Sequence, residues 1–216
     1  MKENGVFEVL LPGTELAEEV RTTFRTRMER LYSGWSDNYD RQYDDHSFLF
    51  VLRGEHSGEL MATCRIVFKQ YNDKRYLTPM EMGDASKYAI PCEPGQVVCE
   101  GGMVSFVSRD AILKLMYNTL SWLVENNVTH IYTTYDTSNS LIKRLYTRTL
   151  KFPMVEGHVA TFSDFKSKKT GEAVDWQVVG GSLKDKAQEV QLELQSKDPT
   201  LSYVAGQYSR LEDWAA

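Results

Sequence analysis

Residues 97–136 constrain the fold more than any other part of the chain. They read VVCEGGMVSFV, then RDAILKLMYNTLSWLVENN, then VTHIYTTYD. The middle segment carries Ile112, Leu115, Met116, Leu120, Leu123 and Val124 at helical spacing, so one face of a helix is apolar. The flanking runs are rich in β-branched and aromatic residues and have strand length. A strand, one covering helix and a second strand make a crossover unit, which places the two strands parallel in one sheet. Gly101-Gly102 interrupts the first strand, the mark of a bulge or of a close backbone approach.

The other elements follow from the same periodicities. Residues 6–11 read as a strand closed by Pro12-Gly13. Leu16, Val20, Phe24, Met28 and Leu31 define a first helix, with Thr14 as its N-cap. Residues 33–46 read as a polar, aromatic loop. FLFVLRG and ELMATCRIVFK form an antiparallel hairpin, and residues 70–96, with Pro79, Pro91 and Pro94, are irregular. SNSLIKRLYTRTLKF reads as a helix, HVATFSDF and AVDWQVVG as strands, and KDKAQEVQLELQ as a last short helix. The fold class is α/β, with a mixed central sheet and helices on both faces. Residues 1–180 are expected to form the main domain, and 181–216 a C-terminal helix and tail.

Composition excludes several classes. The 216 residues carry 25 Lys and Arg against 30 Asp and Glu, a net charge of -5. Nothing global draws the chain to nucleic acid or to an anionic membrane. Cys64, Cys92 and Cys99 are odd in number and lack CxxC spacing, which argues against a disulfide framework and a zinc site. His46 beside Asp44 and Asp45 has no ligand spacing, so no metal is expected. The apolar run near the N-terminus is short and broken by Glu8, so no membrane insertion is expected and the location is read as cytoplasmic.

The element order resembles that of the GNAT N-acyltransferases, and Asn139…Leu145-Tyr146…Phe152 matches a pattern at the end of that family's second core helix. Where many members carry glycines for the coenzyme A pyrophosphate, this chain has Ser105-Phe106-Val107-Ser108-Arg109. The first half is similar to the branch of acyl-homoserine-lactone (autoinducer) synthases and long-chain N-acyl amino acid synthases. The residues that carry this likeness are Arg21, Phe24 and Arg27, then Trp35, Asp44-Asp45, Arg65 in Thr-Cys-Arg-Ile-Val, and Glu100 in Val-Cys-Glu-Gly-Gly. Autoinducer synthases place an arginine three residues after that glutamate, where this chain has Met103, and an acid where it has Arg41.

The resemblance implies transfer of an acyl group from acyl carrier protein or acyl-CoA, as co-substrate, to a small-molecule amine, with no permanently bound cofactor. Glu100 is the candidate base and Tyr146 the candidate acid for the leaving thiolate. Arg21, Phe24, Trp35, Asp44, Asp45, Arg65, Met103 and Phe106 are candidates for the substrate pocket. An inward Arg65 requires a carboxylate, and the acids of 40–45 are the expected partners. Val104, Ser105, Val107, Arg109 and Asn139 are candidates for the pantetheine arm. Lys143, Arg144, Arg148 and Lys151 give one helix a basic side suited to an acidic carrier protein. Each also has a plain reading, as core, cap or solvated surface. Two alternatives stay open: an acetyl-CoA acetyltransferase, and a catalytically silent binding domain of the same fold.

Overall fold

In the computed structural model, residues 5–11, 13–35, 41–71, 74–75, 78–79, 81, 90, 92–183 and 186–201 are described. Ten strands are present among them: β1 (Gly5–Leu10), β2 (Tyr32–Ser33), β3 (Ser47–Gly54), β4 (Leu60–Phe68), β5 (Gln70–Tyr71), β6 (Lys74–Arg75), β7 (Val98–Phe106), β8 (His130–Asp136), β9 (Met154–Ser167) and β10 (Ala173–Ser182). The helices are α1 (Glu15–Leu31), α2 (Arg109–Glu125), α3 (Ser140–Arg144), which continues as a π-turn over Leu145–Thr149, and α4 (Ala187–Lys197).

Eight strands form one sheet in the order β1-β3-β4-β7-β8-β10-β9-β2. As the crossover unit requires, β7 and β8 are parallel. The β3–β4 hairpin and the remaining pairs are antiparallel. Helix α1 starts beside β1 at one edge and delivers the chain to β2 at the other, where Tyr32 pairs with Ser167. Thr14 caps it as expected, its side chain accepting from the Ala17 amide.

Side-chain alternation sorts the core into two layers. Phe50, Cys64, Ile66, Cys99 and Ile131 face α2, which buries Leu115, Leu120, Trp122 and Leu123 against them. Helix α4 packs on α2 through Val190 and Leu194. Leu49, Val51 and Met103 face α1 and its Ala17 and Val20. Gly180 shows how tightly β10 lies on β8: at φ +136°, a Cβ there would stand 2.2 Å from the Ile131 carbonyl oxygen. Residues 202–216 of the expected tail, and Asp40, lie outside the described residues. No described helix is long and apolar enough to cross a membrane.

Candidate active site

The site begins where two parallel strands part. β7 and β8 pair from Val98↔His130 to Gly101↔Thr133. Beyond that rung β7 runs on to Phe106 and β8 to Asp136 with no pairing between them. A bulge against β4 helps turn β7 away: Arg65 pairs with Gly102, but the next rung is Thr63↔Ser105. The bulge therefore centres on Met103-Val104, one step past the glycine pair expected to form it. Met103 itself holds the left-handed conformation, φ 50°. Gly102 stays in the ladder, and a Cβ added there would meet nothing within 4 Å. At the fork, Thr133 Oγ1 donates to the Gly101 carbonyl at 2.8 Å.

On the α2 side of the fork lies an apolar cavity of about 30 Å³, walled by Cys64, Ile66, Met116, Leu120, Leu150 and Phe152. Tyr146 closes it toward the fork. The expected continuous helix over 138–152 is instead α3 plus the π-turn, with Leu150 N–H reaching the Leu145 carbonyl at 2.9 Å. Such turns recur at functional sites because they re-aim a side chain. Burial raises the Tyr146 phenol well above its ordinary pKa, its hydrogen bond with Thr133 opposing and the nearby Glu100 charge adding to the rise. Tyr146 is thus a neutral phenol at neutral pH.

A second cavity of about 110 Å³ opens from the fork toward α1 and α3. Gly102, Val104 and Tyr146 line both cavities, so they mark the junction. Phe24, Tyr135 and Trp176 supply aromatic walls. Asn139 also lines this cavity while its side chain caps α3, accepting from the Ile142 amide at 3.2 Å. Asp136 accepts from the Tyr32 hydroxyl at 2.7 Å and from the Ser138 amide and hydroxyl at 2.7 and 2.6 Å. Arg27 donates through Nη1 to the Val104 carbonyl at 3.0 Å.

The α1 face beside the fork is polar yet buried. Glu100 is 3% exposed, between Val67 on β4 and Tyr132 on β8. Arg65, also 3% exposed, lies diagonally across on the same face. The expectation of a buried Arg65 holds. Asp44 bonds Arg21, which is 3% exposed; the guanidinium of Arg65 stands over the Tyr43 ring, 5.3 Å from its centroid. The Asp44 acid is therefore drawn to α1, with the Arg65 charge acting on it at longer range. Burial still raises the Asp44 pKa, outweighing Arg21, Arg65 and Arg41, because removal from water disfavours the carboxylate. The Asp45 side chain lies outside the description. Phe24 meets Trp35 edge to face, 6.1 Å between centroids. Arg41, at the position where the related synthases carry an acid, pairs with Glu18 at the surface.

At the outer end of the fork Ser105 and Phe106 are half-buried, and Val107 is 72% exposed. Ser108 caps α2, accepting from the Ala111 amide at 3.1 Å, and Arg109 is exposed beside it. Lys143, Arg144 and Arg148 are exposed on the next helix, close to the exposed Leu141. Lys151 departs from the expected basic face. It bridges Glu189 and Glu193 of α4 at 3.2 and 3.5 Å, so its charge is spent on that helix. The roles of Arg27, Thr133, Tyr32 and Asp136 escape sequence reading. Arg27 meets its partner 77 residues away, and Tyr32 meets Asp136 across 104 residues.

A mixed sheet whose parallel pair forks over a bulge, with helices on both faces, is the GNAT acyltransferase fold. Solved structures agree. The chain is similar to FeeM, an N-acyl amino acid synthase from uncultured soil microbes, with TM-score 0.59 and 14% identity over 83% of this chain and 96% of that one. It is similar to BjaI, a CoA-dependent acyl-homoserine lactone synthase solved with SAM and isopentyl-CoA, with TM-score 0.56 and 14% identity over 98% of both chains. It is also similar to Arabidopsis thaliana NAA60 in complex with a bisubstrate analogue, with TM-score 0.55 and 12% identity over 83% of this chain and 98% of that one. At such identities the shared property is the fold. No protein-family model matches the sequence, and no curated protein matches it at a significant level.

Proposed function

We propose that this chain is an N-acyltransferase that moves an acyl group from a pantetheine thioester, on acyl carrier protein or coenzyme A, to the amine of an amino acid or related small molecule. One observation carries this reading: the fork between β7 and β8 joins an apolar cavity on one face to a larger one on the other, lined by Arg27 and Asp136, with the buried Glu100 two residues from Gly102 on β7. The pantetheine arm lies in the fork along Val104, Ser105 and Phe106, beside Asn139. The acyl chain enters the apolar cavity, and the amine approaches from the α1 face over Gly102. Glu100 takes one ammonium proton, and the lone pair this frees on the nitrogen bonds the carbonyl carbon. Backbone N–H groups at the Met103-Val104 bulge face the developing oxyanion. The C–S bond then breaks, the thiolate takes the Tyr146 proton, and the second proton shed by the nitrogen as the amide forms restores the phenol. FeeM and BjaI are named as synthases, of N-acyl amino acids and of acyl-homoserine lactones, which supports the reaction class.

Val107, Arg109, Lys143, Arg144 and Arg148 surround the outer end of the fork and suit an acidic carrier protein, whose activity as donor is expected to fall with rising salt. A second reading, an acetyl-CoA acetyltransferase, has one observation in its favour: about 30 Å³ admits a short acyl group without rearrangement. Purified protein, supplied with acetyl-, octanoyl- and tetradecanoyl-thioesters of both carriers and an amine panel, tests both readings by thiol release and mass spectrometry. Turnover with acyl chains of eight or more carbons supports the first reading, and acetyl-CoA as best donor supports the second. Thiol release from no donor ends both.

A further inference from the structure

Among the described residues, Arg27 is a cation without an anion. It reaches from α1 into the larger cavity, and among the described residues its hydrogen-bond partner is the Val104 carbonyl. No described carboxylate forms an ion pair with it. The one described carboxylate lining that cavity, Asp136, is already committed to Tyr32 and Ser138. Desolvation disfavours the Arg27 charge, and neighbouring Arg30 adds to this. A half-buried guanidinium in aromatic surroundings offers a planar fork of donors, of which one is used here, and that geometry matches a carboxylate.

The position tells which molecule brings the anion. On the acyl-transfer reading, donor phosphates leave the fork at its outer end, by Arg109 and the N-terminus of α2. Arg27 sits at the inner part, beside Gly102 and Met103, on the α1 side that carries Glu100. Between them, the missing Cβ of Gly102 leaves open space.

We infer that Arg27 selects acceptors that bear a carboxylate next to the reacting amine, holding that carboxylate while the amine stands over Gly102. This deepens the acyl-transfer reading and rests on it. The acceptor is then an α-amino acid, and an amine or amino amide of the same shape is a poor substitute.

The test compares phenylalanine with phenylalaninamide, within a panel of amino acids and their amides, using acetyl-CoA and octanoyl-CoA as donors. The aromatic walls motivate phenylalanine. The full-length protein should prefer the acid by about 10²-fold or more in kcat/KM, because a site built for a polar group rejects the analogue that lacks it. Arg27→Gln should erase most of that preference by lowering kcat/KM for the acid alone, and Arg27→Lys should restore part of it. Arg30→Gln, a surface change on the same helix, should leave the preference intact. Calorimetric binding of N-octanoyl-phenylalanine and its amide reads the same preference without turnover. Equal use and equal binding of acid and amide by the unaltered protein would overturn the inference. So would Arg27→Gln raising KM for the donor while the acid-to-amide ratio stays fixed, in which case acyl transfer stands and Arg27 serves the donor. An Arg27-dependent preference in binding, with no thioester turned over, would uphold the inference and sink the acyl-transfer reading.

Discussion

The two faces of the sheet bury different chemistry around one opening. Toward α2, Cys64, Ile66, Met116 and Leu120 leave a small dry cavity, and Cys64 is so removed from water that its thiol pKa is pushed up to about 12. Toward α1, Glu100, Arg65, Arg21 and Asp44 crowd together, three of them almost fully buried. Apolar packing needs no partner chosen in advance, since burial itself stabilises it. Buried charge persists only where a partner or a hydrogen bond answers it. A change on the α2 side should therefore act through stability and fit, and one on the α1 side through chemistry.

The sharpest way to break this contrast is Glu100→Gln. It keeps shape and removes the base, so turnover should fall by roughly 10²–10⁴-fold in a protein that still folds. Unchanged turnover in a folded protein would take Glu100 out of the reaction. Met116→Ala probes the other side: it should destabilise by about 2–5 kcal/mol, read by urea unfolding, and shift donor preference toward longer acyl chains. A loss of turnover with every chain length and no loss of stability would erase the distinction between the faces. Gly102→Val fills the space over which the amine stands. It should slow turnover by up to about 10²-fold with little change in stability, since the site has room for the side chain.

The smallest expected effect concerns pH. Tyr146 and Tyr32 both have folded pKa values above the unfolded value of about 10, burial being the first cause in each. The native state then holds more protons than the unfolded state as the pH climbs past that value. This stabilisation is complete below about pH 10 and is lost above it, through the raised folded values. Ultraviolet titration should show exposed tyrosines ionising first, with a late group that Tyr146→Phe reduces. No late group would mean that these phenols are open to water.

Most of the architecture is legible in the sequence because the periodic segments are long. The 109–125 helix and its two flanking strands follow from the spacing of Ile112, Leu115, Leu120 and their neighbours, and burial enforces that spacing. The π-turn at Leu145–Thr149 leaves no such trace, because its i→i+5 bond is compatible with the same side chains as an α-helix. β2 is two residues long and exists through its pairing with β9. In the site, Glu100, Arg65, Arg21 and Asp44 gather on one face, but their pairing is three-dimensional. Asp44 goes to Arg21 because α1 brings a buried guanidinium within reach of it. The bulge lies at Met103-Val104 instead of Gly101-Gly102, since the cross-strand register with Arg65 and Thr63 decides where the extra residue falls. Arg27 is named in the sequence for the likeness it carries, but its contact appears only when the backbone of Val104 stands beside it.

Helix α1 has a mechanical consequence. It is a rod of 17 residues, about 25 Å long, sewn at one end to the edge strand β1 and at the other to the opposite edge strand β2. A sheet tied across its width in this way resists being pried apart along the line between β7 and β8. The fork cannot gape to swallow a bulky thioester without stretching the rod or tearing a seam, and the weakest seam is the two-residue join of Tyr32-Ser33 to β9. Compliance has to come from the side that the rod does not span, where α3 and its π-turn rest on β8 and on α4.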